Sequence, residues 1–150
     1  MEPGEERGVI DLVSTVFNEY VAPLYSPEGV SEFMKYLRED ELAHRIHSGN
    51  FVLLAKSGVD IIGVVEVRDN SHIAMLFVKG SHQKLGIGKE LLKIAIEKCK
   101  TLNPDTRCIT VNSFPNAVSA YRTMGFNARK PEQAVNGIRF TPMELSLILS

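Results

Sequence analysis

Gln83, Gly86 and Gly88 form a Q-x-x-G-x-G run within HQKLGIGKELL (residues 82–92), at the entrance to a helical pattern. Glycine admits backbone conformations closed to other residues and lets a second group come close to the amides. The N–H groups of Lys84, Leu85, Gly86, Ile87, Gly88 and Lys89 at a helix N-terminus can hold a pyrophosphate. The helix dipole adds about 0.3–1 kcal/mol for a nearby anion. A Walker loop does not fit: Glu90 follows Gly88-Lys89 where a hydroxyl for magnesium is needed, and no glycine stands five residues before Gly88. A dinucleotide fingerprint fits poorly too, because Leu91 takes the place of the third small residue and the next strand offers no acid for a ribose. The alternative without a ligand is that the two glycines only shape a turn.

The loop needs a strand before it and a helix after it, and the chain supplies both. Apolar residues at Ile10, Val13, Phe17 and Tyr20/Val21 mark a first helix that Pro23 ends. Ser26 is a natural N-cap with Pro27 at the first helical position, and Val30, Phe33, Met34 and Leu37 form one face. Leu42 and Ile46 extend a further helical segment to Gly49. From Asn50 to Val78 the chain turns β-branched, with breaks at Ser57-Gly58 and Asp69-Asn70-Ser71, which predicts an antiparallel meander of three strands. Period-two alternation puts His72, Ala74, Leu76 and Val78 on one face of the third strand and Ile73, Met75 and Phe77 on the other.

After the glycine loop, Ile87, Leu91, Ile94/Ala95, Lys98 and Leu102 mark a helix that Asn103-Pro104 stops. CITVN is a short strand and PNAVSAYRTM a short helix, with Gly125 its left-handed cap. GIRFTPMELSL reads as a last strand. The expected architecture is a mixed α/β sheet domain, with residues 1–150 as one domain and no linker or repeat.

Composition excludes several classes. With 44% hydrophobic residues, 23% charged and a formal net charge of -1, the chain carries no overall basic field for nucleic acid. No apolar run approaches the roughly 20 residues of a membrane span. The opening MEPGEERGVIDLV lacks the basic and apolar regions of a secretory leader. Cys99 and Cys108 form neither a CxxC pair nor a ligand-spaced cluster, so two free thiols and a cytoplasmic location are expected, with no metal. His44 and His47 lack a third ligand, and His82 is expected to face solvent.

The second half of the chain carries a resemblance. TVNSFPNAVSAYRTMGF, with Asn116, Ala117, Tyr121, Gly125 and Phe126, resembles motif B of the GNAT superfamily of N-acetyltransferases. IAMLFVKGSHQKLGIGKELL is similar to that superfamily's motif A, and the two stand in family order. More narrowly, EVRDNSHIAMLFV, TVNSFPNA and NGIRFTPM look like small bacterial members of mostly unassigned substrate. The resemblance implies a mostly antiparallel sheet flanked by helices, a loop that holds the pyrophosphate of coenzyme A, and acetyl-CoA as cosubstrate. One departure is plain: such chains usually open with a strand, whereas this one begins almost at its first helix.

The resemblance also implies roles. Main-chain groups of Phe77 and Val78 would meet pantetheine, and a nearby amide would polarise the acetyl carbonyl. Asn116 would line the pantetheine arm, or else cap a helix. Tyr121 would be the general acid at the CoA sulfur, or else an ordinary core tyrosine; a phenol near pKa 10 stays protonated at neutral pH. His72 stands where some members carry a catalytic glutamate, with Glu66 or water as alternative bases; it would otherwise pair with the turn before it. The acceptor would be a small-molecule or peptide amine entering over the segments from Tyr20 to Tyr36, where Glu19, Glu28 and Glu32 mix with Tyr25 and Phe33, and near the final strand. A homodimer through the last strand is a further expectation. Two rival readings are a non-catalytic acyl-CoA sensor and a nucleotide-binding domain unrelated to CoA.

Overall fold

The computed structural model describes residues 1–147. Its helices are α1 (Glu6–Tyr20), α2 (Pro27–Tyr36), α3 (Glu39–His47), α4 (Ile87–Leu102) and α5 (Val118–Thr123). Its strands are β1 (Phe51–Ser57), β2 (Asp60–Arg68), β3 (His72–Val78), β4 (Cys108–Ser113), β5 (Asn127–Ala128), β6 (Gln133–Val135) and β7 (Ile138–Ser146). Ser26 caps α2 as expected, its Oγ accepting from the Gly29 amide at 3.2 Å. No strand precedes α1 among the described residues, and the Met1 ammonium donates to the Val52 carbonyl of β1 at 2.9 Å.

The sheet runs β1-β2-β3-β4-β7-β5, with β6 folded back on β7. Every pairing is antiparallel except β3 with β4, which are parallel and joined through α4. That parallel pairing is short: only His72 with Thr110 and Ile73 with Val111 are in register. Beyond Ile73 the two strands part, and this opening is the feature on which the site depends.

Helices cover both faces. On one side α1, α2 and α3 bury Phe17, Phe33, Leu37 and Leu42 against Val64, Met75 and Phe77. Phe17 stacks on Phe33 at 4.1 Å between ring centroids, and Phe114 closes edge-on against Phe17, Tyr25 and Phe33. On the other side α4 and α5 bury Leu91, Leu92, Ala95 and Tyr121 against Val65, Val67, Ile73, Ile109 and Met143.

The alternation expected along β3 holds only beyond Ala74. Glu66 pairs with Met75 and Val67 with Ile73, so Ala74 is left over as a bulge. The bulge turns Ile73 to the α4 side, while Met75 and Phe77 face α1 and α2. The two short strands β5 and β6 were not expected as separate elements. Where the structure has a turn at Asn136 (φ 53°) and Gly137 (φ 81°), the β6–β7 hairpin folds back under α2. A Cβ on Gly29 of α2 would overlap the Gly137 carbonyl, so that contact requires glycine.

Candidate active site

The glycine loop leaves β3 at Val78 and enters α4 at Ile87. Gln83 ties it down: its Nε2 donates to the Val78 carbonyl at 3.0 Å, so the side chain braces the loop against the strand. Lys84 (φ 65°) and Gly86 (φ 84°) are left-handed, and such turns gather successive amides into an anion-binding concavity. Gly86 is the N-cap of α4, no side chain caps that helix, and the first-turn amides have no intrahelical acceptor. Gly88 is different: its φ is ordinary, and a Cβ there would make a normal 3.5 Å contact with Val78. Fold geometry therefore asks for glycine at 86 but not at 88.

A cavity of about 470 Å³ begins at this loop and passes between the parted strands β3 and β4. Gln83, Lys84, Gly86, Ile87, Gly88 and Lys89 line one end. Leu76, Phe77 and Val78 form one wall; Phe114, Asn116, Ala117, Ala120, Tyr121 and Met124 form the other. Val16 and Tyr20 of α1, with Val21 just after it, line the cavity from the opposite face of the sheet from α4, and the Tyr20 hydroxyl lies against Gly80 of the loop after β3. Of the loop residues expected to meet a cofactor, Leu85 alone does not line the cavity and turns its side chain to solvent.

Tyr121 is buried and faces this cavity, packed edge-on against Phe126 with 5.3 Å between centroids. Its hydroxyl has no hydrogen-bond partner among the described residues. Burial raises the phenol above its usual pKa of 10, so it is a proton donor throughout the neutral range. Asn116 is exposed at the cavity wall; α5 takes Ala117 as its N-cap with no side-chain bond, so Asn116 is not a helix cap.

The two residues weighed as bases lie elsewhere. His72 begins β3, six residues or about 20 Å of strand before Val78, and does not line the cavity. Its Nδ1 is 2.8 Å from Thr110 Oγ1, and burial, aided by Arg68, lowers its pKa to about 4. Its partner is thus β4 rather than the preceding turn. Glu66 is fully buried and held by Arg45 and Asn50. Neither lines the cavity.

The converse holds for His82, expected to face solvent: it is half-buried, lines the cavity, and its Nδ1 is 2.9 Å from Ser81 Oγ. Sequence reasoning also missed Val16 and Phe114, whose apolar character signals core and nothing more. Tyr25 and Phe33, expected near an acceptor, are buried in the aromatic cluster, and the Tyr25 hydroxyl donates to the Arg139 carbonyl at 3.0 Å. Among the described residues no group of three or more metal-ligating side chains occurs, and no helix is long and apolar enough to cross a membrane.

Solved structures share this fold. A GCN5-related N-acetyltransferase from Rhodopseudomonas palustris superposes with a TM-score of 0.81 at 22% identity, over 98% of this chain and 92% of that one. The PaiA N-acetyltransferase of Thermoplasma acidophilum, in complex with coenzyme A, gives 0.78 at 19% identity over 97% and 95%. An aminoglycoside 6'-N-acetyltransferase complexed with coenzyme A gives 0.72 at 11% identity over 99% and 94%. At these identities the likeness speaks for the fold. A model of the acetyltransferase (GNAT) domain matches residues 21–147, a stretch that contains the glycine loop, the parted strands and Tyr121 alike, and the chain therefore belongs to the GNAT acetyltransferase family.

Proposed function

We propose that the protein transfers the acetyl group of acetyl-CoA to a primary amine by direct attack, with both substrates bound together. The observation that carries this reading is the single cavity that joins the amide loop of α4, the gap between β3 and β4, and the Tyr121 hydroxyl. Acetyl-CoA supplies an activated thioester. The two solved neighbours that hold coenzyme A share the sheet and helix arrangement that builds this cavity.

Each part of the chain has a task. The amides of residues 84–89, with Lys84 and Lys89 beside them, meet the pyrophosphate charge. Beyond Ile73, β3 has lost its β4 partner, so main-chain groups on that edge, the Val78 N–H among them, are available to an extended amide arm; the Val78 carbonyl already accepts from Gln83, and Phe77 backs the arm from the β2 side of the strand. A backbone N–H of that strand stabilises the charge that develops on the thioester oxygen. Asn116 lines the arm from the other wall. Tyr121 donates its proton to the departing sulfur, which its raised pKa permits without tuning. The amine's proton leaves through water, because His72 and Glu66 are engaged outside the cavity.

The test is release of CoA thiol from acetyl-CoA in the presence of amines, for the wild type and Tyr121→Phe. Loss of a general acid costs about 10²–10⁴-fold in rate. The reading predicts that kcat falls by at least about 100-fold in Tyr121→Phe while acetyl-CoA affinity is kept. Equal turnover by the two proteins removes Tyr121 from the chemistry. Binding without turnover for any amine identifies a non-catalytic acyl-CoA module instead.

A further inference from the structure

The α1 side of the cavity states what it accepts. Its walls there are Val16, Tyr20, Val21 and Phe114: three apolar side chains and one phenol. The ionisable side chains along the rest of the cavity are Lys84, Lys89, His82 and Tyr121, and no aspartate or glutamate lines it among the described residues.

The carboxylates around the cavity are paired elsewhere or do not line it. Glu66, on the same face of the sheet, is fully buried against Arg45 and Asn50. Glu132 pairs with Arg139 and Glu32 with Lys35. Glu19 is exposed on α1 and is not a lining residue; as the neighbour of Tyr20 it points about 100° around the helix from it.

We infer that the acceptor is a small monoamine with an apolar or aromatic body, and that polycationic amines are excluded. The inference rests on the acetyltransferase reading. An amine must be neutral to attack a thioester, and apolar walls without a carboxylate disfavour its ammonium form. One amine can leave its proton at the entrance and enter neutral. A polyamine or aminoglycoside has to bring further ammonium groups to the same walls, where each is a desolvated charge with no partner. Tyr20, partly exposed with its hydroxyl against the Gly80 backbone, stands at the mouth and is the residue through which selectivity can be changed.

The experiment compares kcat/KM for phenethylamine, spermidine and kanamycin, each with saturating acetyl-CoA, in the wild type, Tyr20→Glu and Tyr20→Gln. The expected result is a wild-type preference for phenethylamine over spermidine and kanamycin of about 100-fold or more. Tyr20→Glu supplies the missing anion and should narrow that ratio by about 10-fold or more, whereas the neutral Tyr20→Gln should not. Equal or better use of spermidine or kanamycin by the wild type overturns the inference and leaves acetyl transfer standing. An unchanged ratio in Tyr20→Glu overturns the position of Tyr20 at the acceptor mouth. Tight acetyl-CoA binding with no turnover of any of the three overturns the acetyltransferase reading, and this inference with it.

Discussion

Arg45 of α3 and Glu66 of β2 form a two-pronged ion pair, with Nε 2.8 Å from Oε2 and Nη2 3.1 Å from Oε1. Glu66 is fully buried, Asn50 Nδ2 donates to the same Oε2 at 2.7 Å, and the guanidinium lies 3.6 Å over the Tyr36 ring. The pair clamps the α2–α3 layer onto the sheet. It also accounts for a glutamate that looks, in sequence, like a catalytic base.

Arg45→Met should therefore destabilise the fold by about 3–5 kcal/mol, because it strands a buried carboxylate. Arg45→Met combined with Glu66→Met should recover most of that loss, since two apolar side chains replace the pair together. Urea unfolding reads both effects. Acetyl transfer should persist in the double variant; a dead but folded double variant would restore Glu66 to the chemistry.

Gly86 and Gly88 should separate cleanly when each is changed to alanine. At Gly86 the left-handed backbone opposes any side chain, and the protein should lose about 1–2 kcal/mol. Gly88 lies inside α4 with room for a methyl group, so Gly88→Ala should leave the ligand-free protein as stable or up to about 1 kcal/mol more stable. Its acetyl-CoA affinity should nevertheless fall, because the methyl stands where the pyrophosphate approaches. Titration calorimetry and thermal unfolding on the same samples check this. Unchanged affinity in Gly88→Ala would mean that the glycines shape the turn and no more.

His72 should make stability depend on pH in one direction. Burial first, then Arg68, lowers its pKa from 6.5 to about 4, with Asp69 opposing. The unfolded chain binds the proton more readily, so the contribution is present above about pH 6.5 and is lost as pH falls from there through about 4. His72→Gln should flatten the fall in urea midpoint between pH 7.5 and 4.5 relative to wild type, and should keep turnover. Parallel profiles would show that the ring titrates normally, and a lost kcat would return it to the mechanism.

The glycine loop, its helix and Tyr121 were legible because each carries a local signal: glycines at fixed spacing, a 3.6-residue period, and a tyrosine one turn into a short helix. The three-strand meander was legible for the same reason, in β-branched runs with turn residues between them. What escaped depends on pairing between distant segments. The Ala74 bulge changes which face Ile73 presents, and no property of Ile73-Ala74-Met75 announces it. β5 and β6 are short and polar, and they exist because β7 offers backbone partners; the Asn136-Gly137 pair was the one cue to that hairpin. His72 stands where some members of the family carry a glutamate, and in the fold its ring meets Thr110 and does not line the cavity. Distance from Gln83 in sequence does not say that the cavity stops at Leu76.

The most direct test is thermal unfolding with acetyl-CoA, ATP or NADH, each at equal concentration. Acetyl-CoA at about 100 times its dissociation constant should stabilise the protein by about 2.7 kcal/mol. For a chain of 150 residues that is a rise in Tm of roughly 5–10 °C. The account predicts this rise with acetyl-CoA and none with ATP or NADH. No rise with acetyl-CoA, or a larger one with ATP or NADH, would contradict it.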